Sequence, residues 1–302
     1  MVRSRIRNTK VTIPRMLLSV IIIVAGAFLL FGAYLYFRQD RMVFCPTTEL
    51  ADTPSSLGLS FEEVYVDVAG GEKVHAWYLP AGSTGTETSD PTQTAGAAKT
   101  VLFCHGNGGN ISHRLETAEF ITGLGVNILL FDYRGYGRSD GSPSESKVYA
   151  DAEACYRWLL SEKGVLPQDI VVFGRSLGGA VAIELAGRVN CGALVVESSF
   201  TSARDMARLI FPYFPVRYLL RYEFDSIRKI PSVGCPILVT HSVEDDIIPF
   251  AMGRRLFDSA RKPKRFVPFY GRHNERDYLC DPSYVEAVRD IVTGQFPAGD
   301  EA

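Results

Sequence analysis

Residues 170–187, IVVFGRSLGGAVAIELAG, constrain what this chain can fold into more than any other stretch. Ile170 to Phe173 are β-branched or aromatic and read as a short buried strand, and Ala180 to Ala186 read as a helix. The small residues between them must reverse the backbone sharply. Gly174-Arg175-Ser176-Leu177-Gly178 fits the pattern G-x-S-x-G, whose glycines leave room for a turn tight enough to expose the serine hydroxyl. Ser176 is therefore expected at the tip of a strand, elbow and helix, with the Leu177 N–H at the helix N-terminus facing any oxyanion formed there. The same pattern recurs at Gly137-Arg138-Ser139-Asp140-Gly141, but that match runs into Ser142-Pro143-Ser144 with no helix behind it and reads as a structural loop.

Around this unit the sequence alternates short apolar runs with helical stretches. TVLFC (100–104), VNILLF (126–131), IVVF (170–173), ALVVE (193–197), PILVT (236–240) and RFVPF (265–269) are mostly uninterrupted, as expected when helices cover both faces of a parallel sheet. Residues 145–160 place Val148, Ala152, Cys155 and Leu159 on one helical face, and 113–122 and 251–260 also read as helices. Before them, residues 61–80 alternate on either side of Gly70-Gly71 and read as a β-hairpin, with His75 a sheet residue. The expected fold class is α/β, a mostly parallel doubly wound sheet occupying 61–296. In such sheets chemistry gathers at the carboxyl ends of the strands. Residues 82–99, rich in Gly, Thr and Ser, read as a surface excursion rather than a domain boundary.

The reactive residue types do appear at those carboxyl ends. TVLFC leads into His105-Gly106-Asn107-Gly108-Gly109-Asn110, a glycine-rich loop that can supply a second oxyanion N–H opposite Leu177; it lacks the Lys-Ser/Thr of a phosphate-binding loop. PILVT leads into His241-Ser242-Val243-Glu244-Asp245-Asp246, and RFVPF into Tyr270-Gly271-Arg272-His273. Asp245 is expected to hold the imidazole of His273, and His273 to act as general base toward Ser176, in the chain order Ser, Asp, His. Glu244 and Asp246 read as solvated loop charges. His241 and His105 are expected to orient their loops, and His113 to sit at an exposed helix start.

The N-terminal part points to a membrane. No residue from Met16 to Phe37 is charged, and about 22 residues at ~1.5 Å each span a hydrocarbon core. Tyr34, Tyr36 and Phe37 close the run as an interfacial belt. A cleaved signal peptide is the competing reading, because Ala25-Gly26-Ala27 has the small-x-small form of a cleavage site. Arg3, Arg5, Arg7, Lys10 and Arg15 precede the apolar run, whereas Arg38 and Arg41, partly offset by Asp40, follow it. This bias predicts a cytoplasmic basic segment (1–15), a transmembrane helix (16–37), a tether (38–60) and an extracytoplasmic catalytic domain, a single-pass type II arrangement. Removing those five charges leaves 27 basic against 34 acidic residues (32 minus 5, against 34), a body near −7 that is a poor nucleic-acid binder.

Six cysteines show no C-x-x-C pair or zinc spacing, so no metal or other cofactor is expected. The sequon Asn110-Ile111-Ser112 lies too close to the glycine-rich loop to be an expected glycosylation site. Residues 199–234 are the one sizeable insertion between strands, and LIFPYFPVRYLLRYEF within them is dense in aromatics and leucine. They read either as a small lid packing its own core or as an apolar acyl channel facing the membrane.

The strings FCHGNGGNISHRL, LLFDYRGYGRSDGSPSE, VVFGRSLGGAVAIELA, ESSFTSARDMA and DDIIPF, spread over residues 40–295, resemble the membrane-anchored α/β-hydrolases of the bud-emergence type. That family includes abhydrolase domain-containing protein 13 and, more distantly, the protein depalmitoylases. The resemblance implies a serine hydrolase with nucleophile Ser176, acid Asp245, base His273 and oxyanion N–H groups from Leu177 and Asn107. It implies a substrate that is an acyl small molecule or lipid, cleaved as an ester or thioester. Gly108 stands where alanine is common, and Ser242 where glycine often follows the histidine; neither removes a catalytic atom. The depalmitoylases carry a cysteine-rich N-terminus where this chain has an apolar helix, so their protein substrates do not carry over. Two alternatives remain: a small-peptide hydrolase on the same triad, and a membrane-anchored pseudoenzyme that binds a partner.

Overall fold

The computed structural model describes residues 15–82 and 98–296; Arg3, Arg5, Arg7, Lys10 and most of the polar excursion at 82–99 lie outside the described residues. The helix α1 (Arg15–Val43) leads into a two-residue strand β1 (Cys45–Pro46). The expected hairpin forms as β2 (Glu62–Asp67) and β3 (Lys73–Leu79), joined through Gly70 and Gly71, both at positive φ. Next come β4 (Thr100–Cys104), the short β5 (Gly108–Gly109), α2 (Leu115–Gly123), β6 (Asn127–Phe131), α3 (Glu145–Ser161), β7 (Ile170–Arg175) and α4 (Leu177–Ala186). Beyond β8 (Ala193–Glu197) the insertion carries α5 (Ala203–Ile210), α6 (Val216–Leu219) and α7 (Ser226–Lys229). The remaining elements are β9 (Ile237–Ser242), α8 (Phe250–Ser259), β10 (Lys264–Phe269) and α9 (Pro282–Thr293).

Eight strands form one sheet in the order β10-β9-β8-β7-β4-β6-β3-β2, parallel from β10 to β6 and antiparallel over β6-β3-β2. This is the α/β-hydrolase fold with a mostly parallel sheet. Its strands alternate between two cores because successive side chains point to opposite faces. Ile170 and Val172 of β7 join Val148, Ala152 and Cys155 of α3 on one side. Val171 and Phe173 join Ile121 of α2 and Ile291 of α9 on the other. With both faces covered, every residue of β7 is buried, and each aliphatic side chain hidden this way contributes roughly 1.5–3 kcal/mol. That explains why the parallel strands read as unbroken apolar runs. The elbow serine therefore hangs from a fully enclosed strand of the sheet.

Two boundaries depart from the sequence expectation. α1 runs to Val43, six residues past the apolar run, and the segment 38–60 is not a free tether. Polar residues after Phe37 continue the helix because the insertion satisfies them. The Gln39 amide donates to Leu219 O (2.6 Å) and accepts from Arg221 N (2.8 Å), while Asp40 accepts from the Tyr222 hydroxyl and pairs with Arg221 (3.2 Å). Further on, β1 pairs in parallel with β5, and Pro54 and Leu59 are buried. The helix α9 is also absent from the sequence reading.

Candidate active site

Ser176 follows β7 directly and caps α4, with φ 56° and ψ −121°, a conformation that L-residues rarely adopt. The turn closes only because its glycines lack side chains. A Cβ on Gly174 would lie 2.1 Å from Gly178 O, and one on Gly178 would lie 1.9 Å from Cys104 O. The elbow is fastened from β8, where Ser176 N donates to Glu197 O (2.9 Å), and by Ser199 Oγ, which donates to Ser176 O (2.8 Å).

His273 lies on the loop after β10, with its Nε2 3.1 Å from Ser176 Oγ and its Nδ1 2.7 Å from Asp245 Oδ2. Asp245 lies on the loop after β9, and its side chain is wholly buried. The other carboxylate oxygen accepts from Ile247 N (2.9 Å) and Ile248 N (2.7 Å). Burial alone would push its pKa up; the hydrogen bonds from His273, Ile248 and Ile247 outweigh that and hold the carboxyl below its ordinary value. It is thus anionic wherever the protein is folded near neutrality. Behind it His241 Nε2 meets Ile248 O (2.9 Å), and burial lowers its pKa, so a neutral imidazole props the acid loop as expected.

The neighbouring carboxylates are not simply solvated charges. Asp246 Oδ1 accepts from His273 N (3.1 Å) and Glu244 Oε2 from Gly271 N (3.1 Å), so both fix the backbone of the histidine loop. A further contributor is absent from the sequence reading: Arg175, the variable residue between Gly174 and the serine. Its guanidinium donates to His273 O (2.5 Å) and pairs with Glu197 (2.9 Å), which in turn accepts from the hydroxyls of Tyr278 (2.8 Å) and Tyr284. A buried cation inside the elbow thus ties the serine turn to the histidine loop. No spacing rule signals it.

The glycine-rich loop after β4 lies beside the serine, since a Cβ on Gly106 would sit 3.5 Å from Ser176 Cβ. Its carbonyls are directed away from the site: Asn107 O accepts from Cys45 N (3.0 Å) and from the Tyr136 hydroxyl (2.8 Å), and His105 O from the Tyr133 hydroxyl (3.0 Å). Burial, with Arg114 nearby, pushes the His105 pKa down to about 3, so it is a neutral loop brace. Asn107 and Leu177 line the same cavity as Ser176, and the Leu177 N–H, in the first turn of α4, has no carbonyl one turn back to accept it. That cavity is about 270 Å³, apolar, and roofed by the insertion and by α1.

The residues kept outside the site also fall where expected. Ser139 Oγ donates to Asp132 O (2.8 Å) and accepts from His75 N (2.8 Å), a structural clasp between β3 and the loop after β6. His113 is exposed, and Asn110, the sequon residue, is fully buried by bonds to Thr47 and Glu49. Among the described residues, no group of three or more His, Cys, Asp or Glu side chains is placed to hold a metal ion.

The family profile described as "Alpha/beta hydrolase family" matches residues 101–293, most of the described body. The chain belongs to the alpha/beta hydrolase family. Among curated relatives, it is 36% identical over 276 residues to the uncharacterized protein Rv2307c of Mycobacterium tuberculosis, covering 91% of this chain and 93% of that one. It is 34% identical over 209 residues to alpha/beta hydrolase domain-containing protein 17C of Xenopus tropicalis, covering 67% of this chain and 64% of that one. The resemblance therefore holds at the level of the family, with a relative of the 17C type rather than domain-containing protein 13 itself. Among solved structures, the Pyrococcus furiosus esterase Pf2001 superposes with a TM-score of 0.65 at 19% identity, over 82% of this chain and 98% of its own. Est1E of Butyrivibrio proteoclasticus, in a structure with ferulic acid bound, gives 0.62 at 20% identity, over 77% and 98%. At these identities the likeness is one of fold.

Proposed function

We propose that this alpha/beta hydrolase is a serine hydrolase that cleaves acyl esters or thioesters through an acyl-enzyme on Ser176. The observation that carries the reading is the relay from Asp245 Oδ2 through both nitrogens of His273 to Ser176 Oγ, at 2.7 and 3.1 Å. Ser176 Oγ attacks the acyl carbonyl while His273 Nε2 takes its proton. Asp245 holds the Nδ1–H tautomer and balances the imidazolium that forms. The N–H groups of Leu177 and Asn107 receive the oxyanion. His273 then returns the proton to the departing alcohol or thiol, activates a water against the acyl-enzyme, and Ser176 is restored with release of the carboxylic acid. Ester chemistry is favoured over amide chemistry by the family resemblance alone, since the structural neighbours include a puromycin-hydrolyzing peptidase of Mycobacterium tuberculosis as well as esterases. The purified protein is expected to hydrolyse p-nitrophenyl esters and acyl thioesters across a graded series of chain lengths. Turnover of a peptide amide series with no turnover of any ester would overturn the reading.

The same proposal places the body at a membrane. α1 is long and apolar enough to cross one by length and composition, and only 6% of its most apolar window is buried in the protein. Read as an uncleaved signal-anchor, with the basic flank cytoplasmic, it holds the hydrolase domain on the extracytoplasmic side. Protease added to intact cells is expected to digest the body and spare the N-terminal segment, with the protein retained by membranes after a carbonate wash. Protection of the body until the membrane is breached would reverse the orientation. Release of a soluble species beginning near Phe28 would favour the cleaved signal peptide.

A further inference from the structure

The cavity over Ser176 has an unusual wall. Leu35, Gln39, Met42 and Val43, the last turns of α1, line it together with the insertion, so a helix outside the hydrolase sheet encloses the substrate site. α1 has 29 residues and is therefore ~44 Å long, whereas a hydrocarbon core is ~30 Å thick, so the helix has about nine residues to spare. The last nine residues, Leu35 to Val43, include all four that line the cavity.

The α1 residues that line the cavity are spread along the helix from Leu35 to Val43. At its inner end Val43 is followed by Cys45 and Pro46, which pair with Gly108 and Gly109 beside Asn107, so this end adjoins the oxyanion loop and Ser176. The first of its α1 wall residues, Leu35, lies eight positions before Val43, ~12 Å back along the helix, and precedes the first charged residue after the apolar run, Arg38. The channel thus runs from the serine to the level of the apolar segment.

The insertion is fastened to α1 along this line. Phe214 stacks on Phe28 (centroids 4.3 Å) and meets Phe31 edge-on (5.2 Å), at helix positions well inside the apolar run. Near the top, both ends of the Gln39 amide clasp the chain between α6 and Tyr222, through Leu219 O and Arg221 N. The insertion also exposes Leu209, Tyr213 and Tyr218 by 53–90%. Aromatic and aliphatic side chains flanking an apolar helix are what an interface with lipid selects.

We propose that the C-terminal turns of α1 are a wall of the acyl-binding channel, latched to the lid by Gln39, and that the long acyl chain of a bilayer-resident ester enters the site along this helix from the membrane. The proposal rests on the ester-hydrolase and membrane-anchor readings above. In it α1 determines chain-length specificity, and Gln39 is a positioning residue that keeps the lid on the helix. The head of the substrate stays with the polar loops, and the acyl chain need not cross water to reach Ser176. The chemistry is the hydrolysis already described, with water as the second reactant and the alcohol and fatty acid as products.

The test uses the full chain in lipid nanodiscs, with p-nitrophenyl butanoate and p-nitrophenyl palmitate as paired substrates. Leu35→Trp fills the channel at its membrane end, and Gln39→Ala releases the latch. Leu30→Trp, at a position 75% exposed and outside the cavity, is the control. Leu35→Trp is expected to lower the palmitate-to-butanoate ratio of kcat/KM by about tenfold or more. Gln39→Ala should lower it in the same direction, and Leu30→Trp should leave both rates unchanged. Fluorophosphonate labelling reports in each variant that the serine site is folded. Butanoate turnover with a ratio unmoved by both Leu35→Trp and Gln39→Ala would overturn this proposal alone. Failure of the wild-type protein to hydrolyse either ester would overturn the hydrolase reading and the proposal with it.

Discussion

Ser176→Ala is expected to remove ester turnover, with a fall in kcat of about 10⁶-fold, leaving only what binding and the oxyanion donors supply. The expectation rests on geometry: Ser176 Oγ is the hydroxyl within reach of His273 Nε2, at 3.1 Å, and it stands where the strand ends and α4 begins. The fold should survive the change. Alanine fits the same space, and the hydroxyl contributes one hydrogen bond, a loss of roughly 1 kcal/mol. Steady-state kinetics and a thermal melt on the same sample separate the two effects. Ser139→Ala is the informative companion, because its hydroxyl joins Asp132 O and His75 N rather than any catalytic group. It should lose a little stability and keep its activity. Comparable activity in Ser176→Ala and the wild type would remove the nucleophile assignment.

Asp245→Asn is expected to lower kcat by about 10⁴-fold. An asparagine can still accept from Ile247 N and Ile248 N, so the loop keeps its shape. Its amide would donate toward His273 Nδ1, however, and stabilise the tautomer that carries hydrogen on Nε2, which cannot take the serine proton. Asp246→Asn should cost little, since its acceptor for His273 N is preserved, and so should Glu244→Gln for Gly271 N. A crippled Asp246→Asn beside an active Asp245→Asn would shift the acid by one residue. The same group carries a pH signature. Because its folded pKa lies below the ordinary value, the stability it contributes is present above about pH 4 and is lost as pH falls through the folded value. Asp245→Asn should flatten that part of the acid unfolding profile.

Much of this site can be read before folding because its determinants are local. Gly174 and Gly178 bracket the serine, the strands around them are continuous apolar runs, and the base and acid each stand just past such a run. The parts that cannot be read depend on distant partners. Gln39 and Asp40 look like the polar end of a membrane helix, and only contact with Leu219, Arg221 and Tyr222, some 180 residues away, fastens them to the insertion and makes Gln39 part of the cavity wall. Arg175 occupies a position that the serine pattern leaves free. Its role depends on Glu197 and the His273 carbonyl, neither of which is near in sequence. Glu244 and Asp246 are hydrophilic neighbours of a catalytic acid, and their bonds to the histidine loop exist only because β9 and β10 lie side by side. The helix α9 is a different case, since Asp281-Pro282 at its start and Gly294, at φ 81°, just past its end are ordinary boundary signals that local inspection can find.

The central claim is that the acyl group passes through a covalent bond to Ser176, and mapping the site of covalent modification tests it most directly. The protein would be treated with an alkyl fluorophosphonate, digested, and analysed by tandem mass spectrometry. The account predicts one adduct, on the Ser176 hydroxyl within the peptide that joins β7 to α4, lost in Ser176→Ala and strongly slowed in Asp245→Asn. Ester hydrolysis by a protein that carries its adduct on another residue, or that remains active with Ser176 fully modified, would contradict it.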